Sequence, residues 1–251
     1  MISLIPVLGI PEVRPGDDLA SLIADGLAAG GIGLGDDDVL VVTQKVVSKA
    51  EGRVVDLSTV EPRPEATAWA ERWGKDARQV ELVLRESAEV VRWADGGLII
   101  SRTRHGFVCA NAGVDLSNTG GEELATLLPA DPDASARALR GRLTELTGTS
   151  PAVVISDSFG RPWRSGIVNV AIGVAGMAAL ADLRGQLDAQ GREMRSTVIA
   201  VADELASAAD LAGGKVAQQP VVVVRGYAAA AARDDRGAAE LVMPRAQDLF
   251  R

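Results

Sequence analysis

The side chains best suited to chemistry gather in one stretch, Val153 to Gly166, which reads VVISDSFGRPWRSG. An apolar run through Ile155 ends in Ser156, Asp157 and Ser158. Gly160, Pro162 and two arginines, Arg161 and Arg164, follow. A β-branched run of that length predicts a buried strand. The Gly and Pro after it predict an immediate turn. A carboxylate, two hydroxyls and two guanidinium groups then stand at the C-terminal mouth of a strand, where α/β folds bind ligands. A second stretch, Ala112 to Asn118, reads AGVDLSN and follows its own apolar run from Phe107 to Ala110. It presents Asp115 beside Ser117 and Asn118. Two acids from separate strand ends, Asp115 and Asp157, suit a hard divalent cation. The arginines suit phosphate or carboxylate.

The elements that must position these groups can be read along the chain. Ile2 to Leu8 reads as a strand. Asp17 or Asp18 caps a helix over Leu19, Leu22, Ile23 and Leu27, which Gly30 and Gly31 end. The glycines from Gly26 to Gly35 are that helix end and a loop, because they lack the strand-then-helix setting of a G-x-G-x-x-G motif. Val39 to Thr43 is a strand delivering Gln44, Lys45, Ser48 and Lys49. Pro64 to about Trp93 has the 3.6-residue period of a long amphipathic helix, broken once. Its tryptophans are core or subunit contacts. Leu98 to Ser101 and Gly106 to Ala110 are strands. His105 between them is the only histidine and Cys109 the only cysteine. Asp131 and Pro132 open a helix that runs to Gly148. Ile167 to Leu180 is apolar with a period that fits strand or helix. Ser196 to Val201 is a strand, Asp203 to Ala212 a helix, and Pro220 to Val224 a buried strand. The fold class is mixed α/β, in a single unit.

Composition narrows the function. The chain has 251 residues, enough for a substantial core, with 47% apolar and only 3% aromatic residues. Ala, Val, Leu and Ile must therefore build that core. The net charge of −8 argues against nonspecific nucleic-acid binding. One cysteine excludes an intramolecular disulfide and fits a reducing compartment. One His and one Cys leave no zinc cluster. The N-terminus lacks a basic region and carries two prolines, unlike a signal peptide. No apolar run is long enough to span a membrane. A cytoplasmic protein is expected.

Taken together, four stretches resemble the F420-0:L-glutamate ligase (CofE-like) family. They are GIPEVRPGDDL (9–19), VVTQKVVSKAEGR (41–53), TRHGFVCANAGVDLSN (103–118) and VVISDSFGRPWRSG (153–166), with ADELASAADL (202–211) and PVVVVRG (220–226) also matching. The resemblance implies a two-lobed α/β fold assembled as an intertwined homodimer. It implies that residues 1–251 form a single ligase domain, without the nitroreductase-like domain fused to it in some actinobacterial relatives. It implies an enzyme of coenzyme F420 biosynthesis that uses GTP to join L-glutamate to F420-0 or a dehydro variant, then adds γ-linked glutamates. The route would be an acyl phosphate, with Mg²⁺ or Mn²⁺ at two sites and K⁺ as a further cation. By position, Ile10, Pro11, Glu12 and Val13 match the nucleotide-contacting turn, and Gln44, Lys49 and Asn118 match further nucleotide contacts. Asp115 and Asp157 match ligands of one metal, and Ser158 a ligand of the second. Archaeal members carry a metal-binding Glu where this chain has Gly213, Gly214 and Lys215. A protonated lysine is no metal ligand, so the alternative for Lys215 is a phosphate contact.

The residues alone admit other readings. Asp and Asn are common in turns and caps. The same acids would serve a metal-dependent phosphohydrolase with water as nucleophile, or a nucleotide- or deazaflavin-binding protein without turnover. No G-x-x-x-x-G-K-[ST] motif is present, so GTP would be held outside a P-loop.

Overall fold

The computed structural model describes residues 1–117, 121, 123–214, 217–230 and 236–248. In chain order the first elements are β1 (Ser3–Pro6), α1 (Leu19–Ala29), β2 (Val39–Thr43), α2 (Gln44–Ala50) and β3 (Val54–Asp56). Next come α3 (Pro64–Trp73), α4 (Ala77–Glu86), β4 (Ser87–Ala94), β5 (Leu98–Thr103), β6 (Val108–Ala110) and β7 (Leu124–Thr126). The last are α5 (Pro132–Thr147), β8 (Ala152–Arg161), β9 (Arg164–Ala175), β10 (Ala181–Asp182), β11 (Val198–Ile199), α6 (Val201–Gly213) and β12 (Val221–Arg225). This is the mixed α/β class that the sequence predicts.

A five-stranded sheet in the order β1-β12-β2-β8-β9 organises the chain. Only β2 and β8 run parallel, and their register ends at Thr43 opposite Ser156. The strands at its centre are almost pure Val, Ile and Leu because both faces are covered. Leu40, Val42, Val153, Ile155, Val221 and Val223 pack on one face against Ile23 and Leu27 of α1 and Leu139 and Leu143 of α5. Val39, Val41, Val154, Val222 and Val224 pack on the other against Ala202, Leu205, Ala206 and Ala209 of α6. Alanine on α6 lets that helix sit close, which is how a core poor in aromatics is filled. Each fully buried Val or Ile is worth roughly 1.5–3 kcal/mol of transfer free energy.

Residues 57 to 127 build a separate hydrophobic cluster. Ala66 and Ala70 of α3, Val80, Leu82 and Val83 of α4, Ile99 of β5, and Ala125 and Leu127 close it. β4, β5 and β6 form an antiparallel sheet beside it, and β3 pairs with β7. Glu81, buried at 3% exposure, is held by Arg63 and Arg85, which together bring its carboxyl down to about 2.

Several sequence expectations hold. Asp18 caps α1 by accepting from Ser21 N, and Asp131 caps α5 by accepting from Ala134 N. Gly148 ends α5 in the left-handed conformation that glycine adopts without strain. Others need correction. The segment from Pro64 to Trp93 is two helices and a strand, because the left-handed Gly74 ends α3 and Ser87 ends α4. The ambiguous segment after Gly166 is strand through Ala175, paired along its length with β8. Ser196 to Val201 contributes only the two-residue β11 before α6 begins. No helix among the described residues is long and apolar enough to cross a membrane.

The N-terminus of α5 touches β9 so closely that Gly173 has no room for a side chain. A Cβ there would lie 2.3 Å from Pro132 O and 2.6 Å from its carbonyl carbon, both backbone atoms. Gly173→Ala is therefore expected to cost about 2–3 kcal/mol and to lower Tm by roughly 5–10 °C. Thermal denaturation followed by circular dichroism checks this, and an unchanged Tm would contradict the packing.

Candidate functional site

The level at which β2 and β8 stop pairing is also where the polar residues begin. β2 passes straight into α2, with Thr43 the last strand residue and Gln44 the first helical one. The helix turns Gln44, Lys45 and Lys49 toward the space beyond the sheet, and the fully buried Ser48 donates to Gln44 Oε1 at 2.8 Å. β8 does not turn after Ile155, as the Gly and Pro suggested. It runs on through Arg161 as a hairpin with β9, with a bulge between Ile155 and Ser156. Asp157 and Ser158 consequently stand on a strand whose parallel neighbour has gone. Asp157 pairs with Val170, and Ser158 with Asn169. Alternation sends successive side chains to opposite faces. Phe159 meets Phe107 edge-on, and Ser158 Oγ donates to Asn169 Oδ1 at 2.7 Å. Asn169 is itself anchored by Ser207 of α6, which donates to its carbonyl.

The second acid arrives by a different route. After β6, Asn111, Ala112 and Gly113 all take positive φ, at 51°, 51° and 73°, and swing the chain around. For non-glycine residues this conformation is strained, and it is held by packing; Ala112 is 2% exposed. A Cβ on Gly113 would meet the Leu128 side chain at 2.7 Å. Asp115 is then pinned by a backbone bridge to Thr126, one bond at 3.0 Å and one at 2.8 Å. Its carboxylate accepts from Lys45 Nζ at 2.6 Å and from Ser117 N at 2.7 Å. Burial pulls this carboxyl up, but Lys45 and Ser117 outweigh it and hold it below the ordinary carboxylate range.

These segments enclose a cavity of about 710 Å³. Ile10, Pro11, Glu12 and Val13 form one wall, Gln44, Lys45 and Lys49 the next, and Asp115, Asp157 and Ser158 a third. The C-terminal end of α6 at Asp210 and Gly213, with Gln218 and Gln219, closes it. Lys49, whose side chain is 8% exposed, pairs with Glu12, which is 67% exposed. Of the eleven residues that the family resemblance picks out by position, nine thus line one space. The other two, Asn118 and Lys215, lie outside the described residues.

One expectation fails here. Arg161 and Arg164 sit at the tip of the β8–β9 hairpin and do not line the cavity; Arg161 donates to Ser165 O at 3.0 Å. They are carried away because β8 continues where a turn was expected. Neither His105 nor Cys109 lines the cavity. His105 Nε2 lies 2.9 Å from Pro129 O. The buried Cys109 thiol is pushed up to about 12, by burial first and then by the negative charge of Asp157. Sequence reasoning also missed residues that the cavity uses. The sequence places Lys45 with Lys49 at the end of β2 but gives it no role, although it shares that residue's face one helical turn earlier. Asn169 is the one amide in the apolar run VNVAIGVA, which is itself a signal. Asp210, Gln218 and Gln219 carry no local pattern that sets them apart.

The fold and cleft define an α/β protein whose ligand site combines carboxylates, hydroxyls, amides and two lysines. A family model described as F420-0:Gamma-glutamyl ligase matches residues 8–226. A coenzyme F420:L-glutamate ligase of Methanothermobacter thermautotrophicus is 49% identical over 251 residues, covering 100% of this chain and 99% of that protein. The enzyme of the same name from Methanopyrus kandleri is 46% identical over 243 residues, covering 96% and 94%, and that from Methanocaldococcus jannaschii 42% over 217 residues, covering 86% and 85%. The chain belongs to the F420-0:gamma-glutamyl ligase family.

Proposed function

We propose that this chain uses GTP and a divalent metal to join L-glutamate to the terminal carboxylate of F420-0, and then adds γ-linked glutamates. The relatives' names support the substrates. The single observation that carries the chemistry is the convergence of Asp115, Asp157, Ser158, Lys45 and Lys49 on one cavity.

The residues fit a hard cation. The donors near Asp115 and Asp157 are oxygens, with no sulfur or imidazole among the lining residues. Ser156 Oγ, in the same wall, is buried and has no hydrogen-bond partner among the described residues. No group of three or more His, Cys, Asp or Glu gathers to hold a metal among those residues. Two carboxylates with the remainder from water and phosphate is the usual supply for Mg²⁺. Asp115 and Asp157 would hold one metal and Ser158 would help hold a second, and these ions would offset charge on the nucleotide phosphates.

The chain's own side chains do the rest by position and charge. Asn169 takes the Ser158 proton into a hydrogen bond and leaves the serine oxygen available as a ligand. Lys45 and Lys49 supply positive charge for the phosphates. The acceptor carboxylate oxygen bonds to the γ-phosphorus as the bond to GDP breaks. The glutamate amine then attacks the acyl carbon, phosphate leaves with the carboxylate oxygen, and the amine gives up a proton. Holding both reactants in one cleft supplies much of the rate.

Asp157→Asn keeps shape and strand pairing but removes one negative charge. Ligation should fall at least about a hundredfold, the scale of a lost contact of roughly 3 kcal/mol, while Tm moves by only a few degrees. Near-normal ligation with a lowered Tm would make Asp157 a structural residue. The nucleotide base would be read by backbone at Ile10 to Val13, since no P-loop is present. GTP should exceed ATP in kcat/KM by at least about tenfold, and equal turnover would remove that role from the turn. The exposed Trp163 and Ile167 of the hairpin support a homodimer, which should bury well over about 2,000 Å². A monomeric mass by light scattering at micromolar concentration would reject it.

A further inference from the structure

Lys45 spends its whole ammonium on one turn. Its three protons have three oxygen partners, namely Asp115 Oδ2 at 2.6 Å, Ser117 O at 2.6 Å and Ser117 Oγ at 3.0 Å. The turn from Asp115 to Ser117 is therefore built as a seat for a small hard cation. Both carboxylate oxygens are already engaged, Oδ1 by Ser117 N at 2.7 Å and Oδ2 by Lys45 and by Ser117 Oγ at 3.0 Å. A divalent ion bound to Oδ2 would stand about 2.0–2.1 Å from it. Oδ2 already accepts two hydrogen bonds, from Lys45 and from Ser117 Oγ, so a metal taking that oxygen must displace one of them, and the like-charged ammonium is the one it repels.

We propose that Lys45 and the divalent metal compete for this seat, so that metal entry at Asp115 ejects the Lys45 ammonium into the cavity. The inference rests on the metal reading above. Lys45 lines the same cavity as the nucleotide-contacting turn, and its side chain is 21% exposed, so it has room to swing. The group released is a cation, and the ligand expected in the cavity is a polyanion. Arrival of the metal thus adds two positive charges to the cleft, the ion and the freed ammonium, at the moment when triphosphate must be held. Lys49 differs: its own side chain is nearly buried and its carboxylate partner Glu12 is the exposed one, so there the acid is the group free to leave.

The test reads binding. Mn²⁺ alone is titrated by electron paramagnetic resonance, and GDP by calorimetry with and without saturating Mn²⁺, against wild type, Lys45→Met, Lys45→Arg and Asp115→Asn. Competition predicts that Lys45→Met binds Mn²⁺ at least about tenfold more tightly, and binds GDP at least several-fold more weakly when Mn²⁺ is present but nearly as wild type does without it. Damage to the fold can only weaken both, so opposite signs separate the two causes. Lys45→Arg should restore wild-type behaviour toward both probes, and Asp115→Asn should abolish the gain when combined with Lys45→Met. Mn²⁺ affinity that is unchanged or weaker in Lys45→Met overturns the proposal, as does a gain that survives loss of the Asp115 charge. Absence of Mn²⁺ binding by every variant also overturns it. None of these readouts requires glutamate transfer, so failure of the ligase reading would show separately, as wild type that binds Mn²⁺ and GDP but leaves F420-0 unchanged.

Discussion

The parallel pairing of β2 with β8 is the constraint on which the rest depends. The two strands lie side by side from Val39 and Ala152 to Thr43 and Ser156, and both are buried on two faces over that length. Beyond that level each must do something else. β2 winds at once into α2, whose first two turns carry Gln44, Lys45, Ser48 and Lys49. β8 stays extended and pairs only with β9, so Asp157 and Ser158 lose their neighbour on one side. The gap left between a helix that has turned away and a strand that has not is the cleft. Parallel pairing makes both strands end in the same direction, and that is why amines and carboxylates meet there.

Charge balance explains how so many ionisable groups share a partly buried space. An isolated charge taken from water costs several kcal/mol, so each must be matched. Asp115 is matched by Lys45, and Lys49 by Glu12. Hydroxyls and amides of Ser48, Gln44, Ser158 and Asn169 bond among themselves. The matching is looser where one partner reaches solvent, as Glu12 does. Phosphoryl transfer needs such an environment, since most of its barrier is lowered by placing charge and little by covalent help from the protein.

The sheet was largely readable from the chain because its strands are short Val-rich runs, and both caps of α5 follow from Asp131 and Gly148. The site was readable in its residues more than in its geometry. Asp115 and Asp157 stand out because each follows an apolar run. What no local pattern could tell is that β8 continues through Gly160 and Arg161. Gly and Pro punctuation marks the hairpin tip at Pro162 and Trp163, six residues later than the first polar side chain. That delay took Arg161 and Arg164 out of the cleft. The break in the long amphipathic segment was expected, but the change from helix to strand at Ser87 was not, since Val90 and Trp93 fit either period. The pairing of Lys45 with Asp115 joins residues 70 positions apart, and only tertiary structure brings such groups together.

The central question is whether the cleft moves a phosphoryl group onto the acceptor's carboxylate. F420-0 labelled with ¹⁸O in its terminal carboxylate, incubated with GTP, Mg²⁺, L-glutamate and the protein, decides it. Mass spectrometry should show the acceptor gaining one or more glutamates. The phosphate released in forming the first amide should carry one ¹⁸O taken from the carboxylate. Phosphate that takes its oxygen from water, with the acceptor unchanged in mass, would mean that the same acids serve hydrolysis, and would contradict the account.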